Sequence, residues 1–157
     1  IRRRKTANKT HYAQIVRLLK FWVQNRKAED SNFRFKSFML ELTVARLADR
    51  GTIRIDDYPE ALAQVFAYMA TDGFLSAIAF SDYYNPAQCV ANSDPIHIWD
   101  PVNHENNTAR LYTELQRTVI VDAALDAGDA IDAALHAPTK IDTLRYWRKV
   151  FGPSFDA

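Results

Sequence analysis

Cysteine is almost missing from this sequence. Cys89 stands alone among 157 residues, so no internal disulfide can form, and an unpaired thiol fits a reducing cytoplasm. No apolar run approaches the roughly 20 residues of a membrane span, and the opening residues lack a signal-peptide pattern. The expectation is a cytoplasmic chain without a membrane partner. Internal repeats and low-complexity tracts are absent too, which leaves one domain's worth of chain, long enough to bury a core. Acids are missing from the first stretch. Nine of the 20 cations, Arg2 to Lys27, precede the first carboxylate at Glu29, leaving 11 cations against 19 acids, or −8, for the remainder. A local positive field of this kind attracts anions such as nucleotides or nucleic acid, although a charge run like Arg2 to Lys5 is also an ordinary solvated arm. Opening at Ile1 without Met, the chain reads as a fragment or processed piece. Residues 1–9 form a basic linker or arm in this reading, and 10–157 the domain proper.

What is present is helical periodicity. Tyr12, Ile15, Val16, Leu19, Trp22 and Val23 recur at one-face spacing and predict a helix from about Thr10 to Lys27. A polar link over 28–36 follows, in which Phe33 and Phe35 read as exposed. Ser37 then precedes the nearly all-apolar run Phe38 to Leu47 and reads as the N-cap of a second helix, ended by a left-handed Gly51. Asp56, Asp57, Tyr58 and Pro59 open a third helix, with Leu62, Val65, Phe66 and Met69 inward and Gly73 at its end. Thr52 to Ile55 and Phe74 to Phe80 are short runs whose periodicity leaves their state open. Ile96, Ile98 and Trp99 suggest a brief strand stopped by Asp100-Pro101, and 103–107 a loop with an asparagine cap. A long helix starts at Thr108, turns Leu111, Leu115, Val119, Ala123 and Leu125 inward, and kinks at Gly128. The last helix opens at Pro138 with Ile141, Leu144, Trp147, Val150 and Phe151 inward, and stops at Gly152-Pro153. The fold class is mostly α, about five helices with one or two short strands.

On the first helix, Arg17 and Lys20 lie three residues apart and leave the same side, where two cations repel unless an anion or solvent sits between them. That spacing suits a polyphosphate. The start of the second helix adds unpaired N–H groups and a partial positive charge. Plain readings stand beside these: a helix lysine is commonly solvated, a serine there only caps, and Phe38 belongs to the core.

The phrase I-V-R-L-L-K-F-W, Ile15 to Trp22, followed by K-S-F-M-L-E-L, Lys36 to Leu42, is similar to the C-terminal helical half of template-independent nucleotidyltransferases. These include oligoadenylate synthetase, archaeal CCA-adding enzymes, cyclic GMP-AMP synthase and the bacterial CD-NTases of antiphage defence. Ile96 to Arg110, I-H-I-W-D-P-V-N-H-E-N-N-T-A-R, resembles that superfamily's strand, D-P loop and following helix, and Leu144 to Phe155 resembles the tail of bacterial CD-NTases. The resemblance implies the helical half of a two-lobed enzyme that joins nucleoside triphosphates into a cyclic oligonucleotide. By position it implies that Lys20 meets the triphosphate, with Arg17 beside it, that Ser37 also touches phosphate, and that Phe38 lies against a base. Asp100 and Asn107 brace the backbone beside the nucleotide cleft, Asn107 in a structural role first, and Arg110 flanks them.

Nucleotidyl transfer uses two Mg2+ ions clamped by carboxylates. The superfamily supplies these from an N-terminal palm domain with a Gly-Ser turn and two acids alternating on one strand. This sequence has no Gly-Ser pair. Asp56 and Asp57 are adjacent and would point to opposite faces of a strand, while Asp126, Asp129 and Asp132 have the spacing of a solvated helix face. His11, His97, His104 and His136 lack zinc spacing, and Glu41 reads as a satisfied acid inside its helix. The expectation is therefore no catalytic or metal-binding residue in this chain, with the palm domain as partner. A reading from another class is a non-enzymatic helical adaptor whose basic arm binds nucleic acid or an acidic protein.

Overall fold

A computed structural model describes residues 9–156. The basic arm, with its expected nucleic-acid contact, falls on 1–8 and lies outside the described residues. Lys9, expected to close that arm, is the first residue of helix α1, Lys9–Glu29. All six stripe residues of α1 are buried. Helix α2, Ser37–Asp49, is buried along most of its length. Its end is a Schellman-type closure: Gly51 has φ 67°, its N–H donates to the Ala48 carbonyl at 3.1 Å, and the Thr52 N–H donates to the Leu47 carbonyl at 2.9 Å. Ser37 is not the N-cap. Lys36 takes that place with extended backbone and no side-chain cap, and Ser37 is the first helical residue.

Helix α3, Tyr58–Asp72, starts and stops where its local chemistry indicates. The Asp57 carboxylate accepts the Glu60 N–H, Pro59 sits in the first turn, and Gly73 closes the helix at φ 63°. Phe74 to Phe80 is neither strand nor helix beyond one parallel bridge from Ile78 to Ile98. Strand β1, Trp99–Asp100, pairs antiparallel with β2, Asn103–Asn107. The segment expected to be a loop is thus a strand, formed by backbone pairing that its polar side chains do not advertise.

Helix α4, Glu114–Leu135, begins six residues later than expected and runs without a break through Gly128. Thr113 and Gln116 form a reciprocal capping box at its start, and residues 108–111 are turn. Its buried face is Ile120, Ala124, Ala127, Ala130, Ile131 and Ala134, whereas Leu111, Leu115 and Leu125 are exposed. Helix α5, Lys140–Phe151, is capped by Thr139 and buries Val150 and Phe151, while Ile141, expected inward, is 82% exposed. Helix α4 packs between α3 and α5, and α1 touches α2, α3 and α5. The link carries the other correction: Phe33 and Phe35 are core residues, edge-on to Trp22 at 5.5 Å and to Phe74 at 5.8 Å.

Trp147 is only half-buried, stacked on Phe151 with ring centroids 5.9 Å apart. Trp147→Ala should cost about 1.5–2.5 kcal/mol, roughly half the penalty of emptying a fully enclosed tryptophan site. Thermal melting checks this, and a loss of full-core size would contradict its half-exposed position.

Candidate functional site

Helices α1 and α2 meet at a pair of charges. The Lys20 Nζ donates to Glu41 Oε1 at 2.8 Å, with the two side chains 39% and 20% exposed. Periodicity places both there. Lys20 leaves the rim of the α1 stripe, and Glu41 lies one turn beyond Ser37 on α2. Above the pair opens a cavity of about 320 Å³ lined by Tyr12, Val16, Arg17, Lys20 and Glu41, with Lys9 at its edge. The expected neighbours Arg17 and Lys20 therefore share one concavity. Its floor is anchored by the Tyr12 hydroxyl, which donates to the Glu41 carbonyl at 2.7 Å.

Ser37 and Phe38 do not line that cavity. Both are exposed in the first turn of α2, Phe38 at 43%, which removes it from the core where its plain reading had put it. The first backbone bond of this helix runs from the Leu40 N–H to the Lys36 carbonyl, so the N–H groups of Ser37 to Met39 precede the ladder. The Ser37 hydroxyl, freed from capping, makes no hydrogen bond among the described residues.

The second expected group is built around Asn107, which is buried. Its Oδ1 accepts the Ile98 N–H at 2.9 Å and the Ala109 N–H at 3.1 Å, while Nδ2 donates to the Ile96 carbonyl at 2.8 Å and to Asp94 Oδ2 at 3.1 Å. The two donors fix which end is oxygen. Asn107 is thus a clamp between segments, not a helix cap. Asp100 holds its own turn, accepting the Val102 N–H at 2.9 Å and the Asn106 amide at 3.2 Å. Arg110 is exposed, at the rim of a cavity of about 370 Å³ to which Asp94, Trp99, His104, Glu105 and Asn107 contribute.

Three residues beside Arg110 escaped the sequence reading: Arg34, Lys36 and Tyr112. The available signal was the alternation Arg34-Phe35-Lys36, which on extended backbone puts two cations on the side opposite a buried ring.

No protein-family model matches the chain. It is 51% identical over 155 residues to the cyclic AMP-AMP-AMP synthase of Escherichia coli (strain MS 115-1), covering 99% of this chain and 48% of that protein. Two solved structures of E. coli MS115-1 CdnC, one in complex with HORMA-deltaN and one with ATP, superpose with TM-score 0.95 at 50% identity. Each match covers 99% of this chain and 49% of the solved one, so the chain spans about half the length of the relatives it matches. At this identity, along nearly every residue and on the same fold, the chain is similar to a mostly helical half of a CD-NTase, the cyclic AMP-AMP-AMP synthase that it matches.

Proposed function

We propose that this chain is the nucleotide-holding helical half of an enzyme that joins nucleoside triphosphates into a cyclic oligonucleotide signal in bacterial antiphage defence. The observation that carries the proposal is the cavity shared by Arg17 and Lys20, taken with a 50%-identical relative solved with ATP. In the free chain Lys20 is neutralised by Glu41. A triphosphate brings several charges against that single carboxylate, at a site still open to water, and draws Lys20 and Arg17 onto its oxygens. Ser37 and the leading N–H groups of α2 add uncharged donors, and the exposed Phe38 ring offers a face to a base. Asp100 and Asn107 keep the neighbouring backbone rigid.

The described residues include no group of three or more His, Cys, Asp or Glu placed to hold a metal. We assign the Mg2+ expected of the complete enzyme to the palm half that the resemblance implies. Among the described residues, no helix is long and apolar enough to cross a membrane. The adaptor reading rests on residues outside the description and gains nothing from the rest.

Lys20→Ala should weaken ATP binding about tenfold. A charge-assisted contact contributes about 1.5–3 kcal/mol, and the low end applies where the group stays partly solvated. Melting should barely move, because a half-exposed ion pair is worth about 1 kcal/mol or less. Calorimetric titration of the purified chain with ATP decides it: an unchanged affinity overturns the role of Lys20.

A further inference from the structure

Arg34, Phe35 and Lys36 are the last residues before α2. Phe35 is 1% exposed, and both cations converge on the ring of Tyr112. The Arg34 guanidinium carbon lies 4.5 Å from the ring centroid and the Lys36 ammonium 5.7 Å. Two hydrogen bonds fasten the segments: the Lys36 N–H donates to the Tyr112 hydroxyl at 3.0 Å, and Arg34 Nη1 donates to the Leu111 carbonyl at 3.3 Å. Leu111 has φ 69°, in the left-handed region that suits glycine, and its side chain is 77% exposed. Packing of that side chain does not explain the strain, and the turn lies in the chain between Arg110 and Tyr112.

The corner has a charge imbalance. Burial, and then the nearby charges of Arg34 and Arg110, hold the Lys36 ammonium below its usual pKa. Tyr112 supplies no counter-charge, since burial outweighs its hydrogen bond and the Arg34 charge and pushes the phenol up. Among the described residues none of the three cations forms an ion pair. Asp94 and Glu105 are the acids that line the same cavity as Arg110. Two cations gathered on a neutral ring, with the charge of Arg110 close enough to act on Lys36, repel one another, and an anion between them relieves that repulsion. Arginine suits a phosphoryl group in particular, because its planar fork matches two oxygens at once.

We propose that Arg34 and Lys36, gathered on Tyr112, form with the neighbouring Arg110 a second phosphoryl-binding patch that shares no residue with the Lys20 cavity. The anion site stands on the cation–ring contacts and the two hydrogen bonds that hold them; the choice of nucleotide phosphate as its ligand rests on the function proposed above. Two sources offer that chemistry, the triphosphate of a mononucleotide and the backbone of a short linear oligonucleotide.

Calorimetric titration of the chain with pyrophosphate, ATP and a linear diadenylate separates these, run on the parent, R34Q/R110Q, K36Q and K20A, with a thermal melt for each variant. The parent should bind two equivalents of pyrophosphate. R34Q/R110Q should lose one and weaken one nucleotide probe at least tenfold, and K36Q, which keeps both arginines, should weaken the same probe by a smaller factor. A larger loss for ATP assigns the mononucleotide, and a larger loss for diadenylate assigns the oligonucleotide. If R34Q/R110Q and K36Q both bind every probe like the parent, the patch is refuted. A loss in K20A without one in the patch variants sinks this inference and leaves the proposed function standing, and the reverse result sinks the Lys20 role instead. Pyrophosphate loss with both nucleotides unaffected overturns the nucleotide assignment.

Discussion

Trp22→Ala should destabilise the domain by about 3–5 kcal/mol, the cost of emptying a large enclosed aromatic site. Trp22 is 1% exposed and sits edge-on to Phe66 at 4.8 Å and to Phe33 at 5.5 Å, so its loss opens a gap where α1, α3 and the link before α2 meet. These walls belong to three separate segments, each held by other contacts, and they cannot all move inward to fill the space. In a chain of this length each kcal/mol lowers the melting temperature by roughly 2–4 °C, so a fall on the order of 10 °C is expected. A variant melting with the parent would mean that the inward face of α1 has been misplaced.

Asn107→Asp should be nearly as damaging, at about 3 kcal/mol or more, despite its almost unchanged shape. The amide nitrogen that donates to the Ile96 carbonyl and to Asp94 becomes an oxygen, which sets a carboxylate against a carbonyl and a second carboxylate. A buried acceptor left without its donor costs about 1–3 kcal/mol, and an uncompensated buried charge costs more. The Oδ1 contacts to the Ile98 and Ala109 N–H groups survive, so the β1 region should loosen without the helices melting first. Urea denaturation followed by hydrogen exchange tests both parts. A loss under about 1 kcal/mol, or exchange that rises equally throughout, would show that Asn107 is not the clamp its contacts describe.

Some of this could be read from residue order. The α1 stripe, the start of α3 at Asp57 and Pro59, and the closures at Gly51 and Gly73 follow from chemistry within a few residues. Other features were present in the sequence and misread. Thr113 and Gln116 have capping-box spacing, yet the leucines at 111, 115 and 125 set the expected phase of α4 and are exposed, while Val119 and Ala123 of the same expected face pack against the core. The buried face of helix α4, which packs on α3, is mostly alanine, whose small side chains allow close packing that leucines at those positions would obstruct. Lys20 and Arg17 were legible as a pair of cations, but the Glu41 partner and the cavity over it required α2 to be laid against α1.

The sequence by itself determined that this is a mostly helical chain, where several of its helices begin and end, and which face of α1 is buried. Those properties are set by 3.6-residue periodicity and by end chemistry that acts over one turn. Only the tertiary structure decided that Phe33 and Phe35 are core, that the polar segment Asn103–Asn107 is a strand, and that Arg34 and Lys36 meet on Tyr112. The aromatic and cation contacts depend on partners elsewhere in the chain, and the strand on pairing across a tight turn with Trp99–Asp100. Burial, strand pairing and the Coulomb field of gathered charges are properties of neighbours in space, which a one-dimensional pattern does not specify.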